Sequence, residues 1–136
     1  MIAAVFDTNV VISGVLSPDG SPGKLLDAIL DRLCQPVVTD RILAEYENVL
    51  GRPKFSFPRP KIHALLDAFR SLALCAPYAP VAHADALPDP DDVIFLEAAF
   101  GLDLPIVTGN ARHFPKSVAR QIPILSPAAF LARLSA

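Results

Sequence analysis

At 136 residues the chain has the size of one domain, and a single unit spanning 1–136 is expected. Hydrophobic residues at 52% against 19% charged supply enough apolar material for a core and exclude an intrinsically disordered chain. The formal charge of -2 excludes a globally basic nucleic-acid binder. Contact with nucleic acid would need a local basic patch, or metal ions neutralising a local acidic one.

Ile2 to Phe6 is a short, wholly apolar run, the pattern of a central strand buried on both faces. It lacks the basic start of a signal peptide, and Asp7 cuts it short. Asp7, Thr8 and Asn9 are good helix N-caps ahead of Val10-Val11-Ile12. Pro22 to Leu33 predicts an amphipathic helix with Leu25, Leu26, Ile29, Leu30 and Leu33 on one face. Val37 to Thr39 predicts a second strand, and Asp40 caps a helix that reaches Leu50 and stops at Gly51. Arg52 to Pro60, with Pro53, Pro58 and Pro60, is a loop, and Lys61 to Leu74 a further amphipathic helix. Ala76 to Pro88 is irregular. The longest apolar stretch, Leu72 to Ala82, is broken by Pro77 and Pro80 and is too short for a membrane span.

Asp89-Pro90-Asp91-Asp92 opens a helix that ends at Gly101, because an Asp cap followed by Pro in the first turn is a strong start signal. Pro105 to Thr108 is a strand with Gly109-Asn110 as its turn. Ile122 to Leu125 is a last strand and Pro127 to Leu134 a closing helix. This alternation predicts a three-layer α/β/α sandwich around a parallel sheet of about five strands. Cys34 and Cys75 are far apart and lack CxxC spacing, so both are taken as buried free thiols, in keeping with a reducing, cytoplasmic setting.

Ligands of such sheets bind beyond the carboxyl ends of the strands, which makes the polar residues there the candidates. Asp7 follows the first strand, and Thr108, Gly109 and Asn110 follow a later one. Asp92 starts the helix leading into that strand, and Glu45 lies one turn into the helix after the second. Oxygen-only donors suit hard cations such as Mg2+ or Mn2+. Singly, each residue has a structural explanation: Asp7 as a cap, Asp92 as a first-turn acid favoured by the helix dipole, Asn110 as a turn residue. A projection at about 100° per residue leaves Glu45 and Glu47 flanking the apolar stripe equally. The pattern, not any one residue, points to a site.

Four segments carry a resemblance: Val5-Phe6-Asp7-Thr8-Asn9-Val10, Glu45-Tyr46 through Val49-Leu50 to Arg52-Pro53-Lys54-Phe55, Asp89-Pro90-Asp91-Asp92 through Phe95-Leu96-Glu97-Ala98-Ala99, and Ile106-Val107-Thr108-Gly109-Asn110. In order and spacing they resemble the PIN-domain family, most closely VapC-type toxins of bacterial type II toxin–antitoxin systems. The likeness continues through Ile124-Leu125-Ser126-Pro127 to Phe130-Leu131. It implies a PIN-like, Rossmann-like topology and an endoribonuclease that uses one or two Mg2+ or Mn2+ ions to cut single-stranded RNA. It implies Asp7, Glu45 and Asp92 as the core acidic ligands, selecting Glu45 over Glu47. The family usually has Asp where this chain has Asn110. An amide oxygen can still coordinate a cation or its water, but one negative charge is lost. Thr8, Asn9 and Thr108 would orient Asp7 and the ion's water. A small cognate antitoxin protein and a homodimer are implied as well, with the Leu72 to Ala82 stretch a candidate interface.

Acidic side chains alone repel a phosphodiester, so catalysis makes sense only with a divalent ion bound. Phosphate contacts need positive charge nearby. Arg52 and Lys54 lie after the Glu45 helix, and Arg112, His113 and Lys116 lie past Asn110; solvated surface charge is the plain alternative for each. His63 and His83 have no partners at metal spacing. Aromatic content of 7%, without tryptophan, argues against a base-stacking platform of the RRM or OB type. A haloacid-dehalogenase-like phosphatase needs a second Asp where Asn9 stands. A dinucleotide site needs GxGxxG, and a response-regulator receiver needs paired N-terminal acids; the chain has neither. The competing reading is a weakly catalytic PIN scaffold that binds RNA or a protein without cutting, and Asn110 is the residue that favours it.

Overall fold

The computed structural model describes residues 2–135. At its centre lie five parallel strands, β1 (Ile2–Phe6), β2 (Cys34–Val38), β3 (Leu74–Cys75), β4 (Ile106–Val107) and β5 (Ile124–Leu125), in spatial order β3-β2-β1-β4-β5. The helices are α1 (Thr8–Leu16), α2 (Ser21–Leu30), α3 (Asp40–Leu50), α4 (Arg59–Leu72), α5 (Val93–Leu102), α6 (Lys116–Ala119) and α7 (Pro127–Ser135). Ala3 through Phe6 are all buried, so both faces of β1 are covered, which makes the three-layer α/β/α sandwich that the alternation predicts. Among the described residues no helix is long and apolar enough to cross a membrane.

β1 is the axis of the core. Val5 lies opposite Val37 on one side and Ile106 on the other, and Phe6 lies opposite Val107. The Asp7 N–H donates to the Val107 carbonyl at 2.9 Å, so the β1–β4 ladder runs one residue past the strand. Phe130 of α7 packs edge-on against Phe6, with centroids 5.7 Å apart. The fully buried Tyr46 of α3 donates its hydroxyl to the Phe6 carbonyl and meets Phe69 of α4 edge-on at 5.7 Å. The backbone that enters the site is thereby held from the helix layer as well as from the sheet.

Several boundaries depart from the sequence expectation, some for tertiary reasons and one through a local cap. α2 stops at Leu30, and Arg32 takes a left-handed φ of 62° so that Cys34 can pair with Ile2; Leu33 is therefore 62% exposed, off the apolar face. Pro36 is tolerated in β2 because β3 joins only from Val37, leaving β2 an edge at that point. α3 is capped by Thr39, whose Oγ1 accepts from the Ile42 N–H at 3.1 Å, and not by Asp40, which is the first helical residue. The expected loop after α3 contains a 3-10 turn at Pro53–Phe55, and α4 begins at Arg59. α4 ends at Leu72, whose carbonyl accepts from Gln35 Nε2, and Leu74–Cys75 leave it to pair with Val37–Val38. Cys34 is buried, with its thiol pushed up to about 11 by burial, but Cys75 is exposed on the edge strand; both are free.

Gly101 does not stop α5. It lies inside the helix, where an added Cβ would stand 2.2 Å from the Pro77 carbonyl oxygen, so its place is set by a backbone crossing overhead. The stop falls at Asp103, with φ 53°, and the Leu104 N–H closes the end on the Ala99 carbonyl at 3.0 Å. The four-residue α6 was not foreseen.

Candidate active site

The sheet order reverses between β1 and β4, and parallel sheets open their ligand crevice at such a switch point. Asp7 and Thr108 are the first residues beyond these two strands. Asp7 sits at the N-cap position of α1 with extended backbone, yet its carboxylate makes no capping hydrogen bond. Instead Oδ2 accepts from Thr108 Oγ1 at 2.7 Å. Asp7 is 4% exposed. Burial pushes its carboxyl above the usual range, against the pull of the Thr108 hydroxyl and the charge of His113. Thr108 Oγ1 in turn accepts from the Asn110 N–H at 3.0 Å, and the Gly109 N–H reaches Asn9 Oδ1 at 3.4 Å. The loop after β4 is thus strapped to the start of α1.

Asp92 comes from a different element. Asp89 accepts from the Asp91 N–H at 3.0 Å and caps a 3-10 turn, Pro90–Asp92, from which α5 continues. This places the buried Asp92 at the helix entrance, again without a capping bond. Burial, then the charges of Asp7 and Asp89, push its carboxyl up to about 6, with His113 pulling the other way. His113 Nδ1 lies 3.2 Å from Asp92 Oδ2. Apart from that contact Oδ2 is buried with no hydrogen-bond partner, and so is Thr8 Oγ1.

α3 brings the third carboxylate. Glu45 is half-buried and lines the same open cleft of about 400 Å³ as Asp7 and Asp92. Glu47 lines a separate cavity and stands 4.0 Å from Arg70, so geometry separates the two residues that helical projection could not. An ion pair between Arg41 and Glu97 at 2.8 Å ties α3 to α5. Asp89 and Asp91 also line the cleft, as do Phe55 and Phe95. From sequence the two acids are only a helix start; the density of carboxylates ahead of α5 was the available signal.

Of the proposed phosphate contacts, Arg52 and His113 line the cleft. Lys54 lies over the Phe55 ring, 5.1 Å from its centroid, and Lys116 lines a different cavity with Arg120. Arg112 is exposed beside His113. Asn110 is half-buried and is not among the cleft walls; its backbone N–H holds Thr108. Among the described residues no three His, Cys, Asp or Glu side chains stand close enough to enclose a metal ion. The cleft is an open acidic basin with five carboxylates against one arginine and one histidine. Such donors fit a hard cation that keeps most of its waters and takes one or two carboxylates directly. Asp92 Oδ2, buried with only the His113 imidazole beside it, is the atom that most needs such a partner.

Fold and cleft together define a parallel α/β protein with an acid-lined crevice at its switch point. Residues 3–112 match the PIN domain family, and the chain belongs to it. An uncharacterized protein of Methanocaldococcus jannaschii is 31% identical over 112 residues, covering 80% of this chain and 71% of that protein. In structure the chain resembles one from the VapBC2 complex of Rickettsia felis, solved bound to a DNA fragment from their promoter. That match has a TM-score of 0.62 at 13% identity and covers 92% of this chain and 98% of the other. The family resemblance carried by the four sequence segments is borne out, and so is the fold it implies.

Proposed function

We propose that the protein is an endoribonuclease that uses Mg2+ or Mn2+ to hydrolyse phosphodiester bonds of single-stranded RNA, and that it is the toxin of a toxin–antitoxin pair. The observation that carries this reading is that Asp7, Glu45 and Asp92, from three separate elements, line one cleft of a PIN-family chain. PIN domains are generally nucleases, which supports the reaction class; the fold likeness to a VapBC2 chain supports the toxin assignment.

Asp7 and Asp92 would hold the ion directly, with Glu45 acting through its waters; Asn110, outside the cleft walls, would contribute through the backbone N–H that holds Thr108. The ion supplies positive charge that polarises the phosphoryl oxygen and acidifies the attacking water. Thr108 keeps Asp7 in one orientation through its 2.7 Å hydrogen bond, and Thr8 and Asn9 complete the same corner. Arg52 and His113 offer the cleft's positive charge to phosphate, and Lys54, Arg112 and Lys116 follow the strand outside it. A small antitoxin protein that covers the acidic cleft is the partner this reading requires. A homodimer belongs to it as well, with Leu74 and Tyr78 exposed on the Leu72–Ala82 stretch.

Mn2+-dependent cleavage of a labelled single-stranded RNA, lost in Asp7→Asn, is the expected result. A specific observation favours the second reading, a binding scaffold: Asn110 carries no charge, and among the described residues no three ligands enclose an ion. RNA binding without cleavage in any divalent metal would establish it and overturn the enzyme.

A further inference from the structure

A second cavity of about 340 Å³ adjoins the acidic cleft, and Arg52 lines both. One ring of a stacked phenylalanine pair lines each of them. Phe55 lines the cleft and Phe57 the second cavity, and the rings are stacked 5.4 Å apart at an interplanar angle of 7°. Lys54 lies over Phe55. The short stretch carrying them is stiff, because it contains a 3-10 turn at Pro53–Phe55, a left-handed Ser56 with φ 54°, and Pro58 and Pro60.

Charge reverses between the two linings. The second cavity is lined by Arg52, Arg59, His63 and Asn48, with Glu47 as its one acid, 4.0 Å from Arg70. Among the described residues neither Arg52 nor Arg59 is in an ion pair. Cations left unpaired, an aromatic ring and an amide around one recess are the groups that hold a nucleotide of a single strand: phosphate on arginine, base on a ring face or against polar groups. We propose that this cavity is a nucleotide subsite, in which Arg52 and Arg59 take the phosphate next to the scissile one and Phe57 takes a base. The subsite rests on the ribonuclease reading and gives it a direction, since the strand leaves the acidic cleft past Arg52.

The test uses the full chain carrying Asp7→Asn to block cleavage, with a fluorescein-labelled single-stranded RNA followed by anisotropy in Mn2+. Adding Arg59→Ala, at an exposed position, should weaken binding and lower the slope of log K against log[salt] by about 0.7, the loss of one phosphate contact. Phe57→Leu keeps an apolar side chain at a half-buried position and should weaken binding roughly tenfold through lost stacking. Arg120→Ala, on a separate cavity, should change neither. RNA carrying 5-iodouridine should photocrosslink to the 52–63 segment. Unchanged affinity and slope in both variants, with the wild-type protein still cleaving RNA, would overturn the subsite and leave the ribonuclease standing. No binding or cleavage of RNA by the wild-type protein would overturn both. An oligo-glutamate peptide bound as tightly as RNA and indifferent to Phe57→Leu would mark a surface for an acidic protein and overturn the nucleotide assignment.

Discussion

Thr108 is where stability and site geometry are tied to one hydroxyl, and Thr108→Val tests that tie. The side chain is 2% exposed and is engaged twice, donating to Asp7 Oδ2 at 2.7 Å and accepting from the Asn110 N–H at 3.0 Å. Valine keeps the shape and removes both bonds. A buried hydrogen bond to a charged group contributes about 1.5–3 kcal/mol, and one from a half-buried amide about 0.5–1.5 kcal/mol. Relief from burying the hydroxyl offsets about 1 kcal/mol. The net loss should be about 1–3 kcal/mol, or roughly 4 °C in Tm for each kcal/mol at this chain length. Urea unfolding followed by circular dichroism in EDTA should show the midpoint fall with an unchanged m-value. Thr108→Ser keeps both bonds and should recover most of the loss. In a double-mutant cycle with Asp7→Asn the coupling should exceed about 0.5 kcal/mol. If valine and serine cost the same, or if the coupling is near zero, the hydroxyl does not position Asp7 and the corner is held by packing alone.

Asp7→Asn should abolish cleavage and weaken Mn2+ binding yet raise stability in EDTA by about 1 kcal/mol, since it removes a charge that burial disfavours; calorimetry showing a less stable metal-free variant would contradict this. Because burial and the neighbouring acids raise the Asp92 carboxyl from 3.8 to about 6, the folded state holds that proton more tightly than the unfolded one. Its contribution is therefore fully present at low pH, falls as pH rises through this window and is flat above it. The gap in urea midpoint between the wild-type protein and Asp92→Asn should shift in the variant's favour over that range, and a gap independent of pH would refute the assignment. Mn2+ affinity should rise over the same window and level off above about 6, read by titration calorimetry as proton release. Gly23→Ala would place a Cβ 2.1 Å from the Pro18 carbonyl oxygen and should cost about 1–3 kcal/mol in thermal unfolding without touching the cleft.

The parts of the fold legible in the sequence are those whose physics is local. The unbroken apolar run of β1 specifies burial on both faces, and the apolar stripes of α2, α3 and α4 specify helices against a sheet. The misplaced ends of α2, α4 and α5 are decided by distant partners. Leu33 and Leu74 continue a helical pattern perfectly well, but Cys34 is needed opposite Ile2 and Leu74 opposite Val37, and strand pairing wins. Gly101 has the look of a terminator because nothing local reveals that the Pro77 carbonyl crosses above it.

The site divides along the same line. An aspartate after a strand is equally a cap or a ligand until its partners are known. Asp7 is told apart from a cap by a hydrogen bond from Thr108, 101 positions away, and by the absence of one to its own helix. Glu45 and Glu47 are equivalent on a helical wheel and become unlike only in the tertiary fold, where Glu45 lines the acidic cleft and Glu47 a second cavity beside Arg70. Composition counts aromatic rings without placing them, and it does not reveal that Phe55 and Phe57 stack where an acidic cleft meets a basic recess. The electrostatic contrast between the two cavities is invisible in a net charge of -2, because composition sums charges without placing them.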